Sequence, residues 1–387
     1  MVAEFAVPGV VATGAGAFAA LPDHARRHGV RRVLIVTDPF FADNGLADRA
    51  VALLAAAGAT AAVFAGVRPD PTTANVADGV AALRAHGADA LVALGGGSPM
   101  DCAKAIAVQA ANPGPLRRYM GGREPISRPG VPVIAVPTTA GTGSEATNVA
   151  VITDPDRDEK MMLKDRFLLP AVALVDPELS AGMPPALTAH VGVDTLTHGI
   201  EAFVSRRAAP LTDPLALGCV ALVARHLETA FFEPGNMAAR AGMAAAATQG
   251  GIAFSNSSVA LIHGMSRPIG AVFHVPHGLS NAVLLPAVTR FSLPGAVARY
   301  AEIARTMRLT GPGASDEAAC LALVAGLETL NTRLGIPRLR DCPGVTRARF
   351  GEMVGKMAAD ALASGSPAHN PVVPTAGDIV GLYEAAW

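Results

Sequence analysis

Asp194 and His198 stand four residues apart in the run GVDTLTHG, residues 192–199. On a helix, positions i and i+4 point the same way, so this carboxylate and imidazole converge. Taken alone, an Asp–His pair is more often a hydrogen-bonded structural pair than a metal site. Two further histidines sit in polar-poor surroundings: His263 follows VALI (259–262), and His277 lies in HVPHG (274–278). A lone histidine on an apolar helix face is usually a satisfied core residue. One Asp with three His would nevertheless form an O/N₃ donor set suited to Fe(II) or Zn(II), with no thiolate to select between them.

Three glycine-containing segments have the make-up of phosphate cradles. GAGAFA (14–19) matches G-x-G-x-x-A, but no strong strand precedes it, and a glycine turn that starts a helix explains it as well. GGGS (95–98) follows the apolar run ALVAL and precedes a helical stretch at 99–107. Strand, triple glycine, serine and helix together expose backbone N–H groups to an anion. Ser98 as a simple N-cap would need only one glycine. PTTAGTGSE (137–145) follows VPVIAV and places three threonines, a serine and two glycines in one loop. Asp38 ends the run VLIVTD (33–38), where a carboxylate accepts from a ribose hydroxyl and repels a 2′-phosphate, favouring NAD over NADP. It is equally placed to cap the following helix, and the two roles are compatible.

Positioning these groups requires two kinds of architecture. Continuous apolar runs at 32–37, 90–94, 131–136 and 172–175 read as parallel strands buried on both faces. Helical stretches at 43–57 and 73–86 lie between them and end at Gly58 and Gly87. The alternation predicts an α/β N-terminal dinucleotide-binding domain with a doubly wound parallel sheet. Segments 149–154 and 160–164 flank the turn DPDRDE and read as a hairpin. From about Pro184 the texture becomes alanine-rich and helical: 185–204, 213–228, 237–247, 294–307, 315–334 and 347–363. The expected division is an NAD-binding domain over 1–183 and an all-α metal-binding, catalytic domain over 184–387.

Composition excludes several other classes. The chain has 387 residues, 51% hydrophobic and 16% charged, against about 25% charged in average domains. That apolar fraction excludes disorder. With 31 Lys+Arg against 32 Asp+Glu and no basic run, nucleic-acid binding is disfavoured. The mean hydropathy of +0.36 invites a membrane reading. No 18-residue apolar run supports it, and segment 241–262 is interrupted by Thr248, Gln249, Ser255 and Asn256. No basic segment opens the N-terminus, so no signal peptide is expected. Cys102, Cys219, Cys320 and Cys342 are widely spaced, which fits a reducing cytoplasm. The shortage of charge predicts a large core, self-association, or both.

GGGSPMDCAKAI (95–106), PTTAGTGSE (137–145), GVDTLTHGIEAFVS (192–205), HGMSRPIGA (263–271) and VPHGLSNAVLLP (275–286), in this order, resemble the iron-containing (group III) alcohol dehydrogenases over nearly the full length. The resemblance implies an N-terminal dinucleotide-binding domain, a helical C-terminal domain, and a homodimer or larger assembly. It places metal ligands at Asp194, His198, His263 and His277. Cofactor contacts fall at Asp38, Gly96, Gly97, Ser98, Asp101, Thr138, Thr139, Thr142 and Lys160. The implied cofactors are Fe(II), with zinc as the alternative ion, and NAD(H). The implied partner is a small alcohol or aldehyde, activated by Lewis-acid chemistry.

Three positions depart from the family pattern. Arg267 stands where many members have a proton-transferring histidine. Arginine stays protonated and cannot be a base, but its fork suits a substrate carboxylate, sulfonate or phosphate. Pairing with a neighbouring carboxylate explains it equally. His274 stands where another polar residue is common and is a candidate for the proton transfer. Asp70 replaces a frequent asparagine on the adenine side. Competing readings are a maleylacetate-reductase-like or glycerol-dehydrogenase-like relative and a metallohydrolase. A maleylacetate reductase typically lacks this full ligand set, and the hydrolase would leave the glycine and hydroxyl loops without use.

Overall fold

The computed structural model describes residues 4–157, 159–311 and 313–387. The chain divides into two compact units, Met1–Ala181 and Gly182–Trp387. In the first, β1 (Val10–Thr13), β2 (Arg32–Val36), β3 (Thr60–Phe64), β4 (Ala90–Gly95), β5 (Val133–Pro137) and β8 (Val172–Val175) form one sheet, ordered β1-β8-β5-β4-β2-β3. Every pairing in it is parallel. The hairpin β6 (Val149–Asp154) and β7 (Glu159–Lys164) forms a separate antiparallel pair. Asp158, in the expected turn, lies outside the described residues.

The helices of this unit are α1 (Leu21–Arg27), α2 (Pro39–Asp43), α3 (Leu46–Ala56), α4 (Thr73–His86) and α5 (Gly97–Ala111). They cover both sheet faces, and the strands show why. Leu34, Val36, Leu91 and Ala93 belong to one buried cluster, with Val76, Val80 and Ile106 of α4 and α5. Their alternates Val33, Ile35, Val92 and Leu94 belong to a second, with Ala25 of α1 and Ala50 and Leu54 of α3. Side chains alternate across a strand, so a continuous apolar run fills both layers. Two strands, β1 and β3, lie outside the runs picked from the sequence. Both are sheet edges, and both mix alanine or threonine with partly exposed positions. The helix read at 43–57 begins later, at Leu46, since Asp43 ends α2 and Gly45, at φ +85°, separates the two.

The second unit has helices and no strand among its described residues: α6 (Pro185–Val204), α7 (Asp213–Phe232), α8 (Met237–Asn256), α9 (Leu261–Phe273), α10 (His277–Ser292), α11 (Val297–Thr306), α12 (Asp316–Arg333), α13 (Arg347–Ala363) and α14 (Ala376–Ala385). Helix α6 begins with Pro185, whose missing N–H is harmless in a first turn. From Thr188 onward nearly all of it is buried, and Thr195 and Thr197 satisfy their hydroxyls on the carbonyls of Val191 and Val193. Glycines set its close neighbours: a Cβ on Gly192 would lie 2.1 Å from Leu227 of α7, and one on Gly250 of α8 would lie 3.4 Å from the Cβ of His198.

Helix α7 is long and apolar enough to cross a membrane by length and composition. That property escapes a search for uninterrupted apolar runs because Arg225 and Glu228 break its sequence. Its residues Cys219, Val220 and Leu227 are buried, meeting Gly199 and Gly192 of α6.

Candidate active site

In the second unit, α6, α9 and α10 bring the expected ligand residues together. Asp194, His198 and Glu201 follow one another at i, i+4 and i+7, forming a buried polar stripe on α6. His263 lies in the first turn of α9, and His277 is the first residue of α10. Asp194 Oδ1 lies 3.5 Å from His263 Nε2, 3.8 Å from His198 Nε2 and 3.9 Å from His277 Nε2. One ligand atom each from Asp194, His263 and His277 lies within 4.8 Å of the others. His198 reaches the same oxygen from the side, stacked between the rings of Phe254 and His263.

These separations suit one cation, since N and O ligands at about 2.1 Å in a tetrahedron stand about 3.4 Å apart. A second observation agrees with the donor chemistry. The amide nitrogen of Asn281, on α10, sits 2.6 Å from Asp194 Oδ1 and 3.2 Å from both His263 Nε2 and His277 Nε2. The Asn281 N–H thus sits among the carboxylate oxygen and ring nitrogens that would hold the ion. Burial pushes the Asp194 carboxyl up, but His198, His277 and His263 outweigh it and hold it well below the usual carboxylate range. Burial opposes a charged His263, and Glu201 and Asp194 outweigh it, raising the ring to about 9.

Glu201 is the residue that reading the sequence for ligands overlooks. Its Oε2 lies 2.6 Å from His263 Nδ1 and accepts the Ala260 N–H at 2.8 Å, while Oε1 accepts the Ile262 N–H at 2.6 Å. One buried carboxylate thus caps the start of α9 and aims the His263 ring, leaving Nε2 toward Asp194. Its signal was present as the i+7 member of the α6 stripe. Asn281 was signalled likewise, four residues after His277.

In the first unit, three strand ends carry the expected nucleotide contacts. β4 runs into Gly95 (φ +144°), and α5 starts at Gly97 with Gly96 as its N-cap and no side chain capping it. Ser98 is therefore inside the helix, not its cap. A Cβ on Gly97 would lie 2.9 Å from Thr142 Cγ2, and one on Gly96 would lie 3.3 Å from Thr139 Cγ2. The glycine turn and the hydroxyl loop after β5 are thus packed together around uncapped backbone N–H groups, which fits a nucleotide phosphate. Thr138 Oγ1 is buried without a hydrogen-bond partner among the described residues. Asp38 follows β2 and caps α2 through the Phe41 N–H, 3.1 Å away. Lys160, on β7, pairs with Asp70 at 2.8 Å.

Asp101 faces inward. Its Oδ1 accepts from Ser144 Oγ at 2.6 Å and its Oδ2 from the Val151 N–H at 2.9 Å. Beside it the buried Lys104 donates to Ser144 Oγ, Thr147 Oγ1 and the Val149 carbonyl at 2.8–3.0 Å. This network, also unremarked in the sequence, fastens the hydroxyl loop to α5. The GAGAFA turn is different: β1 precedes it, and the Phe18 N–H at the following helical turn donates to Asp176 at 3.0 Å. An internal carboxylate occupies the place a phosphate would need.

Arg267 lies one turn after His263 on α9 and donates to Ser366 Oγ at 3.0 Å. Burial lowers its pKa, and the Glu201 charge opposes that shift. His274 is exposed and ends α9 in the left-handed region, with φ +56°. Histidine is among the residues enriched there, which accounts for its tolerance at this turn.

Two family models match the chain: iron-containing alcohol dehydrogenase over residues 8–177, and the C-terminal part of the Fe-containing alcohol dehydrogenase family over 188–387. The chain belongs to the iron-containing alcohol dehydrogenases, oxidoreductases acting on CH–OH groups. Membership implies an iron-type metal and NAD(H). A lactaldehyde reductase of Escherichia coli K12 is 40% identical over 376 residues, 97% of each chain. A solved 1,3-propanediol oxidoreductase superposes with a TM-score of 0.96 at 36% identity, covering all of both chains. A sulfoacetaldehyde reductase from Bifidobacterium kashiwanohense, solved with NAD⁺, gives 0.87 at 30% identity, covering 100% of this chain and 99% of its own.

Proposed function

We propose that the chain is an NAD-linked, iron-dependent alcohol dehydrogenase working on small alcohols or aldehydes. Residues 1–183 would bind the nucleotide through Asp38, Gly96, Gly97, Ser98, Thr138, Thr139, Thr142 and Lys160. Asp101 would act in that set through Ser144. Residues 184–387 would hold the metal through Asp194, His198, His263 and His277. The observation that carries this reading is the convergence of Asp194, His263 and His277 ligand atoms within 4.8 Å. A bound divalent cation supplies Lewis-acid activation of the substrate oxygen, and the nicotinamide supplies or accepts the hydride. The chain's own part is to fix the acceptor geometry, with Glu201 orienting His263 and Phe254 holding His198. Iron is the family ion, and zinc suits the same O/N₃ set.

Arg267 would bind an anionic group at the far end of the substrate. Arg267 lies one turn after His263 and donates to Ser366 Oγ at 3.0 Å, and its planar fork suits a carboxylate or sulfonate. The sulfoacetaldehyde reductase is named for an anionic aldehyde, which supports this substrate class. His274, exposed and three residues before His277, would exchange the proton that Arg267 cannot. The four buried thiols suit a cytoplasmic enzyme, and the low charge suits a homodimer or larger.

The test compares kcat/KM for an ω-carboxylate or sulfonate aldehyde with that for its neutral isostere, in wild type and Arg267→Ala. Selective loss of the anionic substrate, tenfold or more by about 1.4 kcal/mol of lost pairing, supports the role. Equal values in both enzymes end it. Metal analysis combined with NADH fluorescence tests the class, which fails if added metal and NADH both go unbound.

A further inference from the structure

We infer that Asp70 sets the nucleotide preference, as a second carboxylate that turns away a phosphorylated ribose and holds Lys160 in an ion pair. The inference rests on the reading of the first unit as an NAD site. The ends of β2 and β3 are laced together: the Thr37 N–H donates to the Phe64 carbonyl at 3.0 Å and the Val67 N–H to the Thr37 carbonyl at 3.3 Å. Asp38 is the next residue on one strand, and Asp70 lies three residues beyond Val67 on the other. Both aspartates thus stand past the carboxyl ends of adjacent parallel strands, where doubly wound sheets bind nucleotides.

Asp70 is held there firmly. Its φ is +54°, a left-handed position that asparagine and aspartate tolerate best after glycine. On its far side the Pro71 carbonyl accepts the Thr153 N–H of β6 at 2.8 Å, and the Thr72–Asn75 capping box starts α4. The Asp70 carboxylate remains largely open to solvent, 62% exposed, while the Lys160 side chain it meets is 17% exposed. At this edge an incoming nucleotide finds two carboxylates and an ammonium already paired. Ribose hydroxyls can donate to carboxylates, whereas a 2′-phosphate brings roughly two further negative charges without a free lysine to receive them.

The substitution Asp70→Asn removes one negative charge, releases Lys160 and keeps a residue that accepts the same backbone. NADH and NADPH dissociation constants, read by nicotinamide fluorescence, form the test, with Arg68 on the same loop left unchanged. In Asp70→Asn the NADPH constant should fall about tenfold relative to that of NADH, and the gain should shrink at high salt. Adding Lys160→Gln should cancel it. Equal changes for both nucleotides, or none, overturn the role of Asp70 while leaving the NAD reading intact. A wild type that binds neither nucleotide overturns both.

Discussion

Glu201 shows how much of this site depends on a residue that would touch no metal. Its carboxylate meets His263 Nδ1 and two backbone N–H groups, so one side chain fixes both the ring and the helix start. Glu201→Gln preserves the volume but weakens the hold on the imidazole. Partners of this kind typically contribute 10–100-fold in metal affinity, and a loss of about that size is expected in competition with a chelator. Unchanged retention would show that His263 is aimed without it. His274→Ala should lower kcat about tenfold or more and shift its pH profile, with little change in metal content. The ligand residues were legible to different degrees. The Asp194–His198 spacing follows directly from helical period, whereas His263 and His277 are joined to it only by tertiary packing. Asn281 carried the spacing, four residues after His277, but an amide's role shows only once its neighbours are known.

At the scale of elements, the helices that carry His263 and His277 were the hardest to read. Pro268 lies inside α9 and Pro286 inside α10, and each removes a backbone donor that a pattern search expects. Burial on several sides compensates, since packing rather than propensity stabilises most helices. Gly278 lets α10 approach α6: a Cβ there would lie 2.7 Å from the His190 carbonyl and 3.4 Å from Asp194 Cβ. Gly278→Ala should cost about 1–3 kcal/mol of stability and weaken metal retention, measured by thermal melting and chelator competition.

The Lys104 network makes a prediction with a pH signature. Burial lowers Lys104 to about 8 against 10.5 for a free lysine, with Asp101 opposing the shift. The folded chain therefore binds fewer protons than the unfolded one between those values, so this group makes stability rise with pH across that window. The cost of burying its charge is fully present below 8. Melting of wild type minus Lys104→Met should move in favour of wild type from pH 8 to 10.5, and a flat difference would contradict the burial of a charged lysine.

For the whole molecule, the doubly wound sheet was legible because its central strands are apolar on both faces, and the edge strands were not because they are small and half-exposed. Low charge proved ambiguous: it describes the helical unit, where α6 is buried nearly all round, and equally α7, whose composition alone would suit a membrane. Leu211, Phe232 and Leu321 remain exposed on the single chain, in keeping with self-association. Sedimentation velocity should give a species of at least twice 39.2 kDa, and a monomer at micromolar concentration would contradict that expectation.

The most direct measurement is the rate of NADH oxidation with an aldehyde panel, taken on chelator-stripped protein before and after anaerobic addition of Fe(II) or Zn(II), in wild type and His263→Ala. A metal-dependent dehydrogenase predicts negligible turnover when stripped, recovery on addition in wild type, and little recovery in the variant. Equal turnover by stripped and loaded wild type would contradict it.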